Sequence, residues 1–383
     1  GGGEVCLAIG GGGSRLDFGA GRALFETHAG FRARVRSCAA VLDAPLRALP
    51  PYETDQGTAP PPDSLLDALG YGDGERTGTF AAHGQSSKLV ADLTLSRPAV
   101  AEPCAFAVLY ALGAVVALGV DGERPLFRGA PYFAAAAGRG VGHLAALALD
   151  GALALDDACL LALERGLRRG EYAGFEENLG RKLADRPVAA PKRAPVAHGL
   201  RGGWLDALDA SEAAYWRAHA EADHKRDDAD VWMDNLAALK TWEPAAVVVV
   251  EVDEDAEGLE PDRAAPCAVG GDRDACAVAD CLAVAWASGV DVDWADALAA
   301  ARGATSEPPP KFVPGVPGYR FADTVHWTNP NASCYAPPGP PDVPAAVVSP
   351  TKSAAASRRV VRRSPKPGGP WAARVVCAPY AGG

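Results

Sequence analysis

The chain has 383 residues, of which 48% are hydrophobic, so it is long enough for two ordinary domains and can bury a substantial core. Asp and Glu outnumber Lys and Arg by 48 to 37, which gives a formal net charge of −11. This acidic balance disfavours nonspecific binding to nucleic acid or to an anionic membrane surface, and we expect neither as a partner.

The cysteines number 9 and include neither a CxxC pair nor the spacing of a zinc site. In a reducing compartment, free cysteine behaves as a small hydrophobic residue. We therefore expect buried, reduced thiols, no metal site and a cytoplasmic location.

The hydrophobic pattern predicts strands and helices in alternation before the chain becomes Pro-rich at Gly303. In chain order these elements are strand Glu4–Ile9, helix Gly21–Leu42, helix Ser64–Leu69, helix Ala99–Leu118, strand Phe133–Ala137, helix Gly142–Leu149, helix Asp156–Arg168, strand Val196–Gly199, helix Ser211–Glu221, helix Val231–Leu239, strand Val247–Val252 and helix Asp274–Ala287. Pro50–Pro62 and Gly70–Ser87 are predicted loops. Such alternation is typical of an α/β fold with helices on the faces of a parallel sheet.

A glycine-rich turn follows the predicted strand Phe133–Ala137. Its sequence is Gly138-Arg139-Gly140-Val141-Gly142-His143, and a predicted helix begins within it. Strand, tight glycine turn and helix form the layout of a nucleophile elbow, in which a strained turn lifts one side chain above the sheet. The lifted position is Gly140, so an elbow here carries no nucleophile.

The elbow and several segments around it resemble, in the same order, the acyltransferase domains of type I polyketide and fatty acid synthases, whose elbow reads Gly-His-Ser-x-Gly-Glu. The segments that carry the resemblance are Gly19–Thr27, Gly30–Arg32, Arg97–Leu112, Ala162–Gly166, Ala214–His219, Ala245–Val252, Ser288–Trp294, Val316–Phe321 and His326–Trp327. Each match is short, but their common order makes the combined signal specific.

The resemblance implies a parallel-sheet, hydrolase-like α/β domain over residues 1–300, followed by a Pro-rich linker over residues 301–370. Residues 371–383 resemble the first strand and turn of a thioesterase domain. The family also has a small ferredoxin-like subdomain, in whose place only Leu167–Gly174 remain. We therefore expect this subdomain to be largely missing.

By resemblance, the family's reaction moves a malonyl-type acyl group from coenzyme A to the phosphopantetheine thiol of an acyl carrier protein, with no bound cofactor. The acyl group passes through an ester on the elbow serine, so the site needs a nucleophile, a base, oxyanion donors and a cation for the malonyl carboxylate. The serine position corresponds to Gly140, and the family's histidine base falls in the missing subdomain. The carboxylate-binding arginine matches Arg165, and the oxyanion donors match the backbone of Gly12, Gly13 and Val141.

Two residues near this site allow a second interpretation. His143 stands where the family has glutamate and is either an improvised base or an ordinary histidine at a helix start; the absence of a hydroxyl or thiol aligned beside it favours the second. Arg165 is either a bidentate carboxylate ligand or an exposed arginine paired with Glu164 or Asp157, and the damaged site again favours the second.

Two functions remain open at this stage. The chain is an acyltransferase domain with impaired catalysis, whose partners are an acyl carrier protein and neighbouring synthase domains. Alternatively, it is a non-catalytic structural or docking module of such a synthase. A gene model that omits an active-site exon would restore the first function.

Overall fold

The computed structural model describes residues 4–11, 16–54, 57–59, 61–72, 94–118, 125–127, 133–169, 191–221, 227–251, 264–269 and 276–302. The chain divides into two compact units, Gly1–Thr305 and Ser306–Gly383, and all described residues lie in the first. Four predictions therefore fall wholly or largely outside the described residues: the loop Gly70–Ser87, the segment Leu167–Gly174 that stands in place of the missing subdomain, the linker and the thioesterase-like end.

The described strands and helices alternate along the chain. The strands are β1 (Val5–Ile9), β2 (Tyr52–Thr54), β3 (Gly57–Ala59), β4 (Ala135–Gly138), β5 (Ala246–Glu251) and β6 (Ala264–Ala268). The helices are α1 (Arg22–Thr27), α2 (Ala29–Arg47), α3 (Leu65–Leu69), α4 (Pro98–Ala117), α5 (Val141–Asp150), α6 (Leu155–Arg169), α7 (Ala207–Ser211), α8 (Ala213–Glu221), α9 (Asp227–Lys240), α10 (Ala277–Ala287) and α11 (Trp294–Arg302).

A four-stranded parallel sheet with the order β4-β1-β5-β6 lies at the centre of this unit. Ala8 in β1 pairs with Ala137 on one side and with Val249 on the other. Parallel strands need crossover connections, and these place helices over both faces of the sheet. The predicted α/β class with a parallel sheet is therefore confirmed.

Side chains of the sheet alternate between two hydrophobic clusters, as the pleat of a strand requires. On the larger side, Leu7 and Ile9 pack with α4, α5 and α6. On the other side, Ala8 packs with Trp232 and Leu236 of α9. Both faces of the central strands are thus buried.

Apart from Glu102, helix α4 is apolar around its circumference. By length and composition it could cross a membrane, but 94% of its apolar window is buried inside the protein. A helix that is hydrophobic on every face is expected in the core of a protein of this size. The structure therefore places α4 as the central core helix, as the pattern over Ala99–Leu118 predicts.

Three predictions of secondary structure differ from the structure. The helix predicted over Gly21–Leu42 is broken at His28, whose backbone is extended and whose Nδ1 accepts from the Phe31 N–H at 3.1 Å as the N-cap of α2. The strand predicted over Val196–Gly199 is reduced to isolated bridges. The predicted loop Pro50–Pro62 contains the short hairpin β2–β3.

Among the described cysteines, the expected burial holds for those within the sheet and core helices. Buried free thiols are found at Cys6, Cys38, Cys104, Cys159, Cys267 and Cys281, whereas Cys276 is exposed. Burial raises the pKa of the Cys6 thiol to about 12. Such a thiol stays protonated and unreactive at neutral pH.

Candidate functional site

The turn between β4 and α5 has the backbone of a nucleophile elbow. Gly140 lies directly before the first residue of α5 with φ 55° and ψ −124°. This conformation costs a residue other than glycine about 1–3 kcal/mol and is found mainly at functional sites. The backbone conformation of an elbow is therefore present; glycine adopts it without strain, and Gly140 supplies no side chain.

The elbow packs backbone to backbone against the end of β1. The Arg139 N–H donates to the Ile9 carbonyl at 3.0 Å. A Cβ at Gly142 would clash with the same carbonyl, and a Cβ at Gly11 would lie 2.7 Å from the Arg139 oxygen. Only glycine fits these positions, so the contact between elbow and β1 explains part of the glycine pattern.

The predicted oxyanion donors are only partly placed. Val141 is the first residue of α5, directly after the elbow. Gly12 and Gly13 lie outside the described residues. Their described neighbour, Gly11, lies against Arg139 and Gly142 of the elbow.

His143 lies in the first turn of α5 and is completely buried. Its Nε2 lies 2.7 Å from the Tyr215 hydroxyl in α8, and that hydroxyl oxygen accepts from the Gly199 N–H at 3.2 Å. If Tyr215 donates to Nε2, both the hydroxyl proton and the Gly199 N–H have acceptors, and the ring proton of His143 is on Nδ1, which is buried without a hydrogen-bond partner among the described residues.

Both groups of this pair are uncharged at neutral pH. Burial lowers the pKa of His143 to about 3, with smaller contributions from nearby His198 and Arg165. Burial also raises the pKa of Tyr215 above its usual value. His143 thus lies at the start of a helix, and its buried bond to Tyr215 ties α5 to α8.

Two further histidines lie near His143, and the sequence analysis missed both. The His198 ring lies 4.9 Å from the Tyr215 ring, and the His219 ring lies 5.2 Å from that of His143. Imidazoles are thus present near the elbow helix, in addition to the base that is expected to be lost with the small subdomain. A signal was present for His198, because it lies at the carboxyl end of the predicted strand Val196–Gly199, and parallel strands bring their carboxyl ends to one edge of a sheet.

The hydrogen bonds of His198 fix its tautomer. Its Nδ1 accepts from the N–H groups of Leu200 and Arg201 at 3.1 and 3.2 Å. The ring proton is therefore on Nε2, which lies 3.4 Å from Asp209 Oδ2. Burial lowers the pKa of His198, so its neutral form is favoured. In this arrangement its lone pair is already used by the backbone.

Arg165 is buried in the face of α6 that packs on α4, which corrects the expectation of an exposed arginine paired with Glu164 or Asp157. Its Nε lies 3.6 Å from Glu102 Oε2, and its Nη1 donates to the His219 carbonyl. Adjacent residues on a helix point in different directions, so Glu164 pairs instead with Arg168 at 2.8 Å, one turn further on.

The described residues assemble an elbow, neutral imidazoles and an ion-paired arginine around one helix start. Within this described part of the chain, no group of three or more His, Cys, Asp or Glu side chains could hold a metal ion. The arrangement offers no hydroxyl or thiol at the elbow position. An ester with an acyl group therefore has no attachment point at Gly140.

Neither a protein-family model nor a curated protein sequence matches the chain. Solved structures do match. The acyl transferase domain of ZmaA is 15% identical, with 77% of each chain covered and a TM-score of 0.54. The acyltransferase domain from the second module of the salinomycin polyketide synthase is 19% identical, with 80% of this chain and 79% of that chain covered and a TM-score of 0.52. The chain is therefore similar in fold to the acyltransferase domains of polyketide synthases.

Proposed function

We propose that this chain is an acyltransferase-type module of a multidomain polyketide or fatty acid synthase that does not form an acyl-enzyme intermediate. The observation that carries the proposal is Gly140, which has the elbow backbone, φ 55° and ψ −124°, but no side chain. A ping-pong transfer of a malonyl group from coenzyme A to an acyl carrier protein requires a nucleophile at that position. The ancestral reaction is therefore blocked at its first step.

The imidazoles near the elbow support the same proposal. A general base needs a free lone pair and a pKa near the working pH. Tyr215 uses the lone pair of His143, whose pKa is lowered to about 3, and backbone N–H groups use the lone pair of His198. Neither histidine is poised to activate a hydroxyl in this arrangement.

The role that remains is structural. The parallel sheet is buried on both faces by hydrophobic clusters, so the scaffold is kept although the elbow nucleophile is missing. We propose that the module acts as a spacer or docking surface between neighbouring synthase domains and their acyl carrier protein. The Pro-rich residues 301–370 would then link it to a following thioesterase-like segment.

Intact-mass spectrometry after incubation with malonyl-CoA tests the loss of acyl transfer. We expect no adduct that hydroxylamine removes, whereas a polyketide synthase acyltransferase with its elbow serine should be acylated under the same conditions. A malonyl ester on this chain, located by peptide mapping, would show a nucleophile elsewhere and overturn the proposal.

A further inference from the structure

Arginines of α6 and glutamates of α4, α6 and α8 form two groups of ion pairs beside the elbow helix, one centred on Glu102 and one centred on Arg168. We call this set the arginine–glutamate cluster; its members are Arg165, Arg168, Arg169, Glu102, Glu164 and Glu221. Arg165, Glu102 and Glu164 are its buried members. Arg168 is partly buried, and Glu221 is exposed.

The positive and negative charges of the cluster balance. Arg169 pairs with Glu102 Oε1, while Arg165 faces Oε2 of the same carboxylate at 3.6 Å. Arg168 lies 2.8 Å from Glu164 and 2.7 Å from Glu221. Each guanidinium thus has a carboxylate of the protein beside it, as the high desolvation cost of buried charge requires.

Besides Glu102, the buried Arg165 has residues of the candidate site nearby. Its charge contributes to lowering the pKa of His143, three residues after Gly140. It also donates to the carbonyl of His219, whose ring lies 5.2 Å from that of His143. A carboxylated ligand that reached Arg165 would meet Glu102 at the same guanidinium. Two carboxylates at one buried cation repel each other strongly.

We propose that Glu102 is a specificity-determining residue that occupies Arg165 and makes the site reject acyl groups with a free carboxylate. Acyl thioesters that enter the site would be those with an uncharged acyl chain. This inference rests on the proposed function only in taking acyl thioesters as ligands. It does not depend on whether an acyl group is transferred.

Thermal melts of the full chain with malonyl-CoA or acetyl-CoA test the inference, because the two ligands differ only in the carboxylate. For the native chain we expect no larger stabilisation by malonyl-CoA than by acetyl-CoA. Glu102→Gln removes the competing charge, so malonyl-CoA should then bind at least tenfold more tightly than acetyl-CoA. That preference should disappear again in Glu102→Gln combined with Arg165→Met.

The matched control is Glu221→Gln, which removes the same charge from the exposed side of the cluster. In this variant, malonyl-CoA should stabilise the chain no more than acetyl-CoA does. A native chain that prefers malonyl-CoA, or a folded Glu102→Gln variant without that preference, would overturn the inference.

A paired change covers the case in which Glu102→Gln does not fold. Glu102→Gln with Arg169→Gln removes one charge of each sign and should give the same malonyl preference. Covalent acylation is measured separately by mass, so a malonyl ester would overturn the proposed function without deciding the role of Glu102. Likewise, the ligand preference can fail while the chain remains unacylated.

Discussion

Gly140 has a backbone conformation that only glycine adopts without strain, and it carries no side chain. A serine there would carry a hydroxyl, but it would also have to adopt φ 55° and ψ −124°. In an active elbow, neighbouring contacts hold the strained residue in place, and here Arg139 and Gly142 make such contacts with the end of β1. The turn can therefore accept a side chain at a cost in stability.

We expect Gly140→Ser to fold, to lose about 1–3 kcal/mol of stability through backbone strain, and to remain close to background in acylation by malonyl-CoA. The hydroxyl lacks a base because the lone pairs of His143 and His198 are already used. Loss of a triad member costs several orders of magnitude in rate. Denaturant melts measure the loss of stability, and intact-mass spectrometry measures acylation.

Gly140→Ala is the matched control for this prediction, because it introduces the strain without the hydroxyl. Both variants should melt alike. If Gly140→Ser turned over at a rate comparable to that of an intact acyltransferase, one of the nearby imidazoles would have to act as its base. The hydrogen bonds described for His143 and His198 would then not represent the working state.

His143 makes the stability of the folded protein depend on pH. Its pKa is about 3 in the folded protein because the ring is buried, against about 6.5 in an unfolded chain. The unfolded chain therefore binds more protons between these values. His143 therefore makes its full contribution to the free energy of unfolding above about pH 6.5. Between about pH 6.5 and pH 3, this free energy decreases by about 1.4 kcal/mol for each pH unit that the pH falls.

We expect His143→Gln to show a shallower loss of stability than the native chain between pH 7 and pH 5, measured as unfolding free energies in urea. Burial also lowers the pKa of His28, to about 4, but His28 is present in both proteins, so its contribution cancels in the difference. Identical pH slopes in the two proteins would mean that His143 is accessible to protons in the folded state.

Strand β5 is the element whose burial is easiest to test. Val249 lies between β1 and β6 and faces the cluster that contains Trp232 of α9. Val249→Asp would bury a carboxylate without a partner, at a cost of about 4 kcal/mol or more. We expect the cooperative thermal transition to be lost.

Val284→Asp in α10 is the corresponding control, because Val284 is 38% exposed and its carboxylate can reach water. That variant should melt close to the native chain. A native-like transition in Val249→Asp would place β5 outside the folded core.

Sequence pattern predicted those elements whose cause is local. The β-branched run Val247–Val250 predicted β5, the apolar run over Ala99–Leu118 predicted α4, and the glycines of the elbow follow from the turn itself. Strand β6 was missed because Ala264–Ala268 has no β-branched residue and contains Pro266. It forms a strand at the edge of the sheet, where β5 provides a partner and a proline is tolerated.

The contacts of the site depend on elements far apart in sequence, so the pattern could not supply them. Arg165 has Glu164 beside it in the sequence, but the packing of α6 on α4 brings Glu102 to its guanidinium. The surroundings of His143 likewise come from α8 and from the bridge at Val196. The sequence could therefore predict the elbow and the candidate residues, whereas the residues that contact Arg165 and His143 could be identified only from the structure.

On the scale of the whole molecule, the sheet order joins distant parts of the chain. β1 begins at Val5, yet it lies between β4 and β5, so the start of the chain forms the middle of the sheet. The described core residues extend from Val5 to Ala300 and lie entirely within the first unit, Gly1–Thr305. The core of that unit is thus built from both of its ends.

Two truncations test this arrangement by circular dichroism: one should leave the thermal transition almost unchanged, and the other should abolish it. A chain of residues 1–305 keeps every described core residue, so we expect it to melt within a few degrees of the full chain. A chain that starts at Leu16 lacks β1, which leaves β4 and β5 without their shared neighbour and exposes unpaired backbone groups on both. We expect this second chain to lose cooperative melting, although it lacks fewer residues than the first. If residues 1–305 alone failed to melt cooperatively, the core described here would depend on residues 306–383.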